Sequence, residues 1–187
     1  VAFFFNGTYS YKGRYTINGT YRYEGTNKMG KSRKARWLPT WNISGAWNVH
    51  EEKFFSHVQP ALSHLSLKAS YSLTADRGPS YVTNSLAVIK ASTPWRPTSG
   101  DTETGLKVSS LETAQLTDEK KHELNLGLDV GFVNNRINLA FDWYKRNNFD
   151  LIGTVTTQGI GGEISKYGNV AEMKSNGVEI SLSTKNI

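Results

Sequence analysis

The sequence predicts an all-β fold, namely a segment of an antiparallel transmembrane β-barrel with about seven or eight strands. Apolar and polar residues alternate along most of the 187-residue chain, in segments of roughly 9–11 residues that suit a tilted membrane-crossing strand. Very short turns alternate with long polar connections, as in outer-membrane barrels. Aromatic residues make up 12% of the chain and cluster near segment ends, where membrane–water interfaces would lie.

The most regular alternation lies between Lys120 and Asn147 and predicts a β-hairpin. Its first apolar row is Leu124, Leu126, Leu128, Val130 and Phe132. After Asn134-Asn135 a second row follows, with Ile137, Leu139, Phe141 and Trp143. Because successive side chains of a strand point to opposite faces, each row predicts one apolar face. That face could cover a protein core or face lipid.

The other strands follow from the same period-2 pattern. Their alternating rows lie within residues 3–11, 15–23, 41–49, 65–74, 151–157 and 178–183. Lys12-Gly13 predicts a tight turn between the first two strands. Residues 51–63 could hold a short helix that Pro60 ends, since proline cannot continue a helix.

Three long segments are predicted to be extracellular loops: residues 25–38, 75–119 and 158–175. The segment 75–119 is rich in Ser, Thr, Pro and Gly and has no sustained pattern. A structureless loop of that length is uncommon in a compact soluble domain. We therefore expect residues 1–187 to be part of one β-barrel domain whose short turns face the periplasm.

Composition narrows the possible functions. The formal net charge is +6 and the sequence pI is about 9.4, which is compatible with anionic partners. The absence of cysteine excludes disulfides and thiolate metal sites. We find no nucleophile elbow, zincin motif or dinucleotide fingerprint. We expect no enzyme, no cofactor, no metal site and no nucleic-acid partner.

Two groups of residues are candidate binding sites. The first is a basic cluster of five cations within nine residues: Lys28, Lys31, Arg33, Lys34 and Arg36. On an extracellular loop this cluster could bind the phosphates of lipopolysaccharide, or it could simply be solvated.

The second candidate is Trp95 with Arg96, which lie between Pro94 and Pro97 in the long segment 75–119. Aromatic faces stack on sugar rings, and flanking prolines reduce the entropy lost when such residues are presented to a ligand. A loop that packs on itself is the alternative interpretation.

Several segments resemble the SusC/RagA branch of the TonB-dependent outer-membrane receptors. "RYEGTNKMG" at residues 22–30 resembles the family's Arg-x-Asp/Glu-Gly-Ser/Thr segment, and "RWLPTWNISGAWNVHEEKF" at 36–54 its Trp-x-x-Pro-x-x-x-x-Ser-x-x-Trp strand. "LSHLSLKASYSLTAD" at 62–76, the hairpin at 119–152 and "YGNVAEMKSNGVEISLSTKNI" at 167–187 resemble the family's later strands in the same order. Ala75-Asp76 stands where Gly-Asn is usual, and Asp118 where Trp often precedes Glu119.

The resemblance implies a barrel of about 22 strands with an N-terminal plug, of which this chain is similar to a later part. It also implies localisation in the bacterial outer membrane and TonB-energised import of an oligosaccharide or peptide. The implied partners are outer-membrane lipid, a SusD-like surface lipoprotein, and TonB, which would bind through segments absent here.

Two other function classes remain open from the residues alone. A soluble or surface-attached β-rich module that binds carbohydrate or protein would bury the apolar rows against a second sheet. A barrel enzyme would need catalytic residues that converge only in space.

Overall fold

The computed structural model describes residues 1–26, 31, 33–59, 61–77, 86–93, 104–160 and 162–185, with the backbone alone at 34 and 35. Seven strands form one antiparallel sheet. In spatial order they are β1 (Ala2–Tyr11), β2 (Tyr15–Gly25), β3 (Trp37–Asn48), β4 (Leu62–Asp76), β7 (Glu119–Phe132), β8 (Ile137–Thr156) and β9 (Ser165–Thr184). The predicted all-β, antiparallel fold is confirmed.

A separate hairpin, β5 (Val88–Ser92) with β6 (Gly105–Ser110), lies between β4 and β7 in the chain. Since β4 pairs directly with β7, with Asp76 opposite Glu119, the chain leaves and re-enters the large sheet at the same end. The predicted long loop 75–119 therefore contains one hairpin, β5 with β6, whose short strands show little alternation.

The helical content is small. One turn of α-helix covers Arg33–Arg36 (α1), and two 3-10 turns cover Val49–Glu51 and Lys53–His57, within or next to the region where a short helix is predicted. Pro60 lies outside the described residues. Among helices in the described part of the chain, none has the length and hydropathy needed to cross a membrane.

The strand register places apolar residues from neighbouring strands side by side. Leu67 on β4 pairs with Leu128 on β7. Leu128 pairs in turn with Phe141 on β8, and Phe141 pairs with Ile180 on β9. We call this side of the seven-stranded sheet the apolar face. The opposite side, which carries residues such as Asn125, is the polar face.

The apolar face is not covered by other protein among the described residues. Leu126 is 43%, Ile43 58% and Ile180 65% exposed. The buried hydrophobic residues of the described chain are Val49, Phe55 and Leu116, none of which lies in a strand. The described chain therefore does not form the two-layered sandwich that a soluble module would need.

Aromatic rings form two bands on the apolar face. At the long-loop end, Trp41 packs on Tyr71, Tyr71 on His122 and His122 on Phe149, with ring centroids 5.2, 5.6 and 5.4 Å apart. At the short-turn end, Trp47 stacks on Tyr15 at 6.0 Å. Trp41 and Trp47 are separated by about 20 Å of β3, at ~3.3 Å per residue, so the bands bracket an apolar belt.

Glu52 joins the connector between β3 and β4 to the short-turn end of the sheet. The Tyr15 hydroxyl donates to its Oε1 at 2.6 Å, and Arg14 contacts its Oε2 at 3.2 Å. The Tyr15 hydrogen bond, helped by Trp47 and Arg14, lowers the pKa of the Glu52 carboxyl. This carboxylate therefore stays ionised while it holds the connector in place.

Strands β8 and β9 extend beyond the rest of the sheet at the long-loop end. Their register shifts between Asn148 and Leu151, next to Asp150 with φ 57°. Because β9 begins at Ser165, the predicted loop 158–175 is wrong over residues 165–175. At the start of β9 both faces carry polar residues, such as Ser165 and Lys166, so the alternation that reveals a membrane strand is missing there.

A glycine on the polar face makes room for an aromatic ring. Gly177 on β9 pairs with Tyr144 on β8, and a Cβ at Gly177 would collide with the Tyr144 ring and hydroxyl. Arg146 lies over the same ring at 4.3 Å and contacts Glu123 at 3.2 Å. Tyr144 therefore fills the space that the missing side chain leaves.

Replacing Gly177 with alanine is expected to lower the free energy of unfolding of the full-length receptor by about 1–3 kcal/mol, because the Tyr144 ring must move. Urea unfolding in lipid vesicles measures the change. Gly19→Ala is the matched control, since nothing lies within 4 Å of a Cβ there. If Gly177→Ala costs as much in a Tyr144→Ala background, steric overlap with the ring is not the cause.

Candidate functional site

The polar face contains a cavity of about 210 Å³ at the long-loop ends of β2, β3 and β4. The period-2 geometry of the strands places Arg22, Glu24, Thr40 and Asp76 on this side of the sheet. Arg77 and Asp118, which flank β4 and β7, complete its charged lining. The cavity is therefore a feature of the register rather than of a single loop.

Glu24 organises the two arginines of the cavity. Its Oε2 contacts Arg22 at 2.8 Å, and its Oε1 accepts a hydrogen bond from Arg77. One carboxylate thus binds both guanidinium groups. This arrangement leaves the charges of Arg22 and Arg77 partly compensated within the wall.

Asp118 is in a different situation. It is only 7% exposed, and its Oδ1 has no hydrogen-bond partner among the described residues. Burial raises the pKa of its carboxyl, although Arg77 and Lys120 act in the opposite direction. A buried carboxylate without a full set of partners is costly to ionise.

Residues 111–118 fix the position of Asp118 by packing against the extension of β8 and β9. Leu116 is fully buried and packs on Ile152 and Tyr167. The Asn169 amide donates to the Thr117 carbonyl at 2.8 Å, and its Oδ1 accepts from the Thr117 backbone N–H at 2.9 Å. Asp118 is therefore held by a small core and a paired backbone.

The described residues include three members of the predicted basic cluster, Lys31, Arg33 and Arg36. The Lys31 ammonium contacts Glu112 at 2.7 Å, and its backbone N–H donates to the Ala114 carbonyl at 2.9 Å. Arg33 and Arg36 begin and end α1. Lys28 lies outside the described residues, and so does the side chain of Lys34. Lys31 thus binds a carboxylate of this chain, and anion binding by the cluster stays a prediction.

Trp95 and Arg96 lie outside the described residues, so ligand binding by this pair also stays a prediction. His50, His57 and His64 lie seven residues apart, a spacing that would align them along a continuous helix, but they lie in two 3-10 turns and in β4. His50 and His64 have ring centroids 4.2 Å apart, while His57 ends the second 3-10 turn. Over the described ranges, no group of three or more His, Asp or Glu side chains could hold a metal ion.

Comparison with known proteins identifies the family. A family model described as "TonB dependent receptor-like, beta-barrel" matches residues 1–185. The chain belongs to this family of TonB-dependent receptors. It is 28% identical over its whole length to TonB-dependent receptor P26 of Formosa agariphila and to TonB-dependent receptor SusC of Bacteroides thetaiotaomicron, covering 18% of each.

Solved structures agree with the family. The RagAB peptide transporter matches with a TM-score of 0.81 at 27% identity, covering 97% of this chain and 19% of that one. The "open-open" state of the RagAB peptide importer matches with a TM-score of 0.83. The receptor chain described here thus spans about a fifth of the length of its curated relatives. The family is one of outer-membrane transport receptors, in agreement with the expectation that the chain is not an enzyme.

Sequence reasoning missed the cavity of this TonB-dependent receptor segment, because its charged residues come from distant parts of the chain. One signal was available: both departures from the family's motifs, Ala75-Asp76 and Asp118, line the cavity. These two departures from the motifs lie far apart in sequence, and they point to the cavity only once the fold brings them together.

Replacing Asp118 with asparagine is expected to stabilise the full-length receptor at neutral pH, because it removes a buried charge that lacks a full set of partners. The raised pKa means that the folded state binds a proton more readily than the unfolded state. The penalty in the native protein therefore falls as pH decreases through that raised pKa. Urea unfolding from pH 8 to pH 4 should find the largest advantage of Asp118→Asn at the alkaline end. A variant less stable than the native protein at pH 8 would contradict this.

Proposed function

We propose that this chain is part of the barrel wall of an outer-membrane TonB-dependent receptor that imports an oligosaccharide or a peptide. The observation that carries the proposal is the two-sided sheet. One side exposes a continuous apolar belt between two aromatic bands, and the other exposes charged and hydrogen-bonding residues. Such a sheet suits a wall between lipid and a wet lumen.

The apolar face is the lipid-facing side in this proposal. The transfer free energy of apolar side chains such as Ile43 and Ile180 favours hydrocarbon over water, so their exposure is favourable in lipid and unfavourable in water. Aromatic rings at both borders match the interfacial preference of amphipathic rings. The long-loop end, which carries the hairpin β5–β6, would then be extracellular, and the connector holding Glu52 would be periplasmic.

The sheet edges require further strands. The outer edges of β1 and β9 have no partner strand among the described residues. Unpaired backbone N–H and C=O groups are too costly in hydrocarbon, so only a closed barrel satisfies them. We infer that other strands of the receptor complete the wall at both edges.

The proposed partners follow from the relatives. SusC and the RagAB peptide transporter support a SusD-like surface lipoprotein at the long-loop end and energy supplied through TonB. The name RagAB peptide transporter favours a peptide as the imported ligand. An oligosaccharide is the second ligand class that we propose. The basic cluster, with Lys31 and Arg33, would contact phosphates of lipopolysaccharide beside the loops.

A charge on the apolar face tests which side meets lipid. Leu126→Arg, near the middle of the apolar belt, is expected to cost about 2–4 kcal/mol of folding free energy in a lipid bilayer. Ser181→Arg is the control, because Ser181 lies on the polar face of β9. The free energy of unfolding of the full-length receptor in vesicles gives both values. Equal costs on the two faces would contradict the lipid assignment.

Import is tested in cells whose uptake depends on the full-length receptor. Uptake of a fluorescent oligosaccharide or octapeptide should require both the receptor and TonB, and should stop when the proton-motive force is dissipated. Binding at 4 °C should persist without TonB, because the energy is needed for passage and not for capture. Receptor-dependent uptake that is unchanged without TonB would overturn the proposed mechanism.

A further inference from the structure

We propose that the cavity beside Asp118 is a subsite for one cationic group of the imported ligand, either an ammonium or a guanidinium group. This inference rests on the proposed import function and adds the chemistry of one ligand contact. The accepting group is the Asp118 carboxylate, which the fold places at the wall of the cavity.

The charge balance of the cavity favours a cation. Two arginines face three carboxylates, those of Glu24, Asp76 and Asp118, which gives a formal charge of +2 − 3 = −1. Glu24 binds both arginines, so neither is presented alone to an anion. Lys120, the other nearby cation, contacts Asp150 at 2.5 Å.

The Asp118 carboxylate is the group beside which the cation would bind. Asp118 Oδ1 is buried and has no donor in the described part of the chain, although charged hydrogen bonds to carboxylates are among the strongest in proteins. The position of this residue is fixed by the packing of Leu116 and by the two hydrogen bonds between Thr117 and Asn169. An ammonium or guanidinium group of a ligand in the cavity would lie beside this carboxylate and offset the cost of its buried charge.

The size of the cavity limits what enters. About 210 Å³ is below the roughly 300–1,000 Å³ of pockets that hold drug-sized ligands. The cavity therefore suits one charged terminus or side chain, while the remainder of an oligomer would lie along the polar face. Two kinds of ligand provide such a group: a peptide through arginine, lysine or its amino terminus, and an oligosaccharide through an amino sugar.

Two pairs of matched probes test the subsite on the full-length receptor. The first pair is a fluorescent octapeptide with one arginine and its twin with citrulline, which has nearly the same shape and no charge. The second pair is a fluorescent glucosamine tetramer and its fully N-acetylated twin. Fluorescence anisotropy at low and physiological salt gives the dissociation constants for the native receptor, Asp118→Asn and the control Glu179→Gln. Glu179 is an exposed carboxylate on the polar face of β9, outside the cavity.

The native receptor is expected to bind the cationic member of one pair about tenfold more tightly than its neutral twin, as one charged hydrogen bond would give. Asp118→Asn should abolish that difference and leave the neutral twin unaffected, while Glu179→Gln should keep it. The pair that responds identifies the source, peptide or amino sugar. The preference should also decline as pH falls and Asp118 takes up a proton, with Arg77, Lys120, Glu24 and Asp76 as the other charges that face it.

Preference retained in Asp118→Asn, equal weakening of both twins, or no preference in either pair would overturn the subsite. Uptake separates this result from the import function. If the receptor imports either ligand class with TonB but shows no charge preference, the subsite proposal fails and the import proposal stands. If the Asp118-dependent preference is present but uptake does not depend on TonB, the import proposal fails and the subsite proposal stands.

Discussion

Backbone hydrogen bonding between neighbouring strands, in one fixed register, is the constraint on which the rest of this structure depends. Because side chains alternate strictly along each strand, a slip of one residue would move every apolar residue to the opposite face. The register that joins Leu67, Leu128, Phe141 and Ile180 also aligns the polar residues behind them. The apolar belt and the polar face are therefore two consequences of one set of pairings.

The same register explains how a binding cavity arises on a wall that is only one sheet thick. Residues at the ends of β2, β3 and β4 reach the polar face together, and Asp118 joins them from the segment that precedes β7. Leu116 supplies the small core that holds this segment against Ile152 and Tyr167. A barrel wall has no deep interior of its own, so burial of Asp118 depends on the extension of β8 and β9, which gives this segment a surface to pack on.

Stability and ligand binding oppose one another at Asp118. The native protein keeps a buried carboxylate that burial disfavours, as active and binding sites commonly do. Nearby, each oxygen of Glu24 contacts an arginine, Arg22 or Arg77, so the same fold pairs this carboxylate with two cations. The contrast within one cavity is between a structural ion pair and a buried carboxylate whose Oδ1 has no partner in the described chain.

The sequence by itself determined most strands of the large sheet and their faces, because period-2 alternation and aromatic residues at segment ends reflect local geometry and the surrounding medium. Residues 120–147 are the clearest example. The family followed from the resemblance of several motifs, not from the alternation. The sequence did not reveal β5, β6 or the start of β9, since strands outside the two-sided sheet carry no regular apolar–polar alternation. Only the tertiary structure brought Arg22, Arg77 and Asp118 to one cavity, because the chemistry of a site assembled across strands depends on register and packing that no short segment contains.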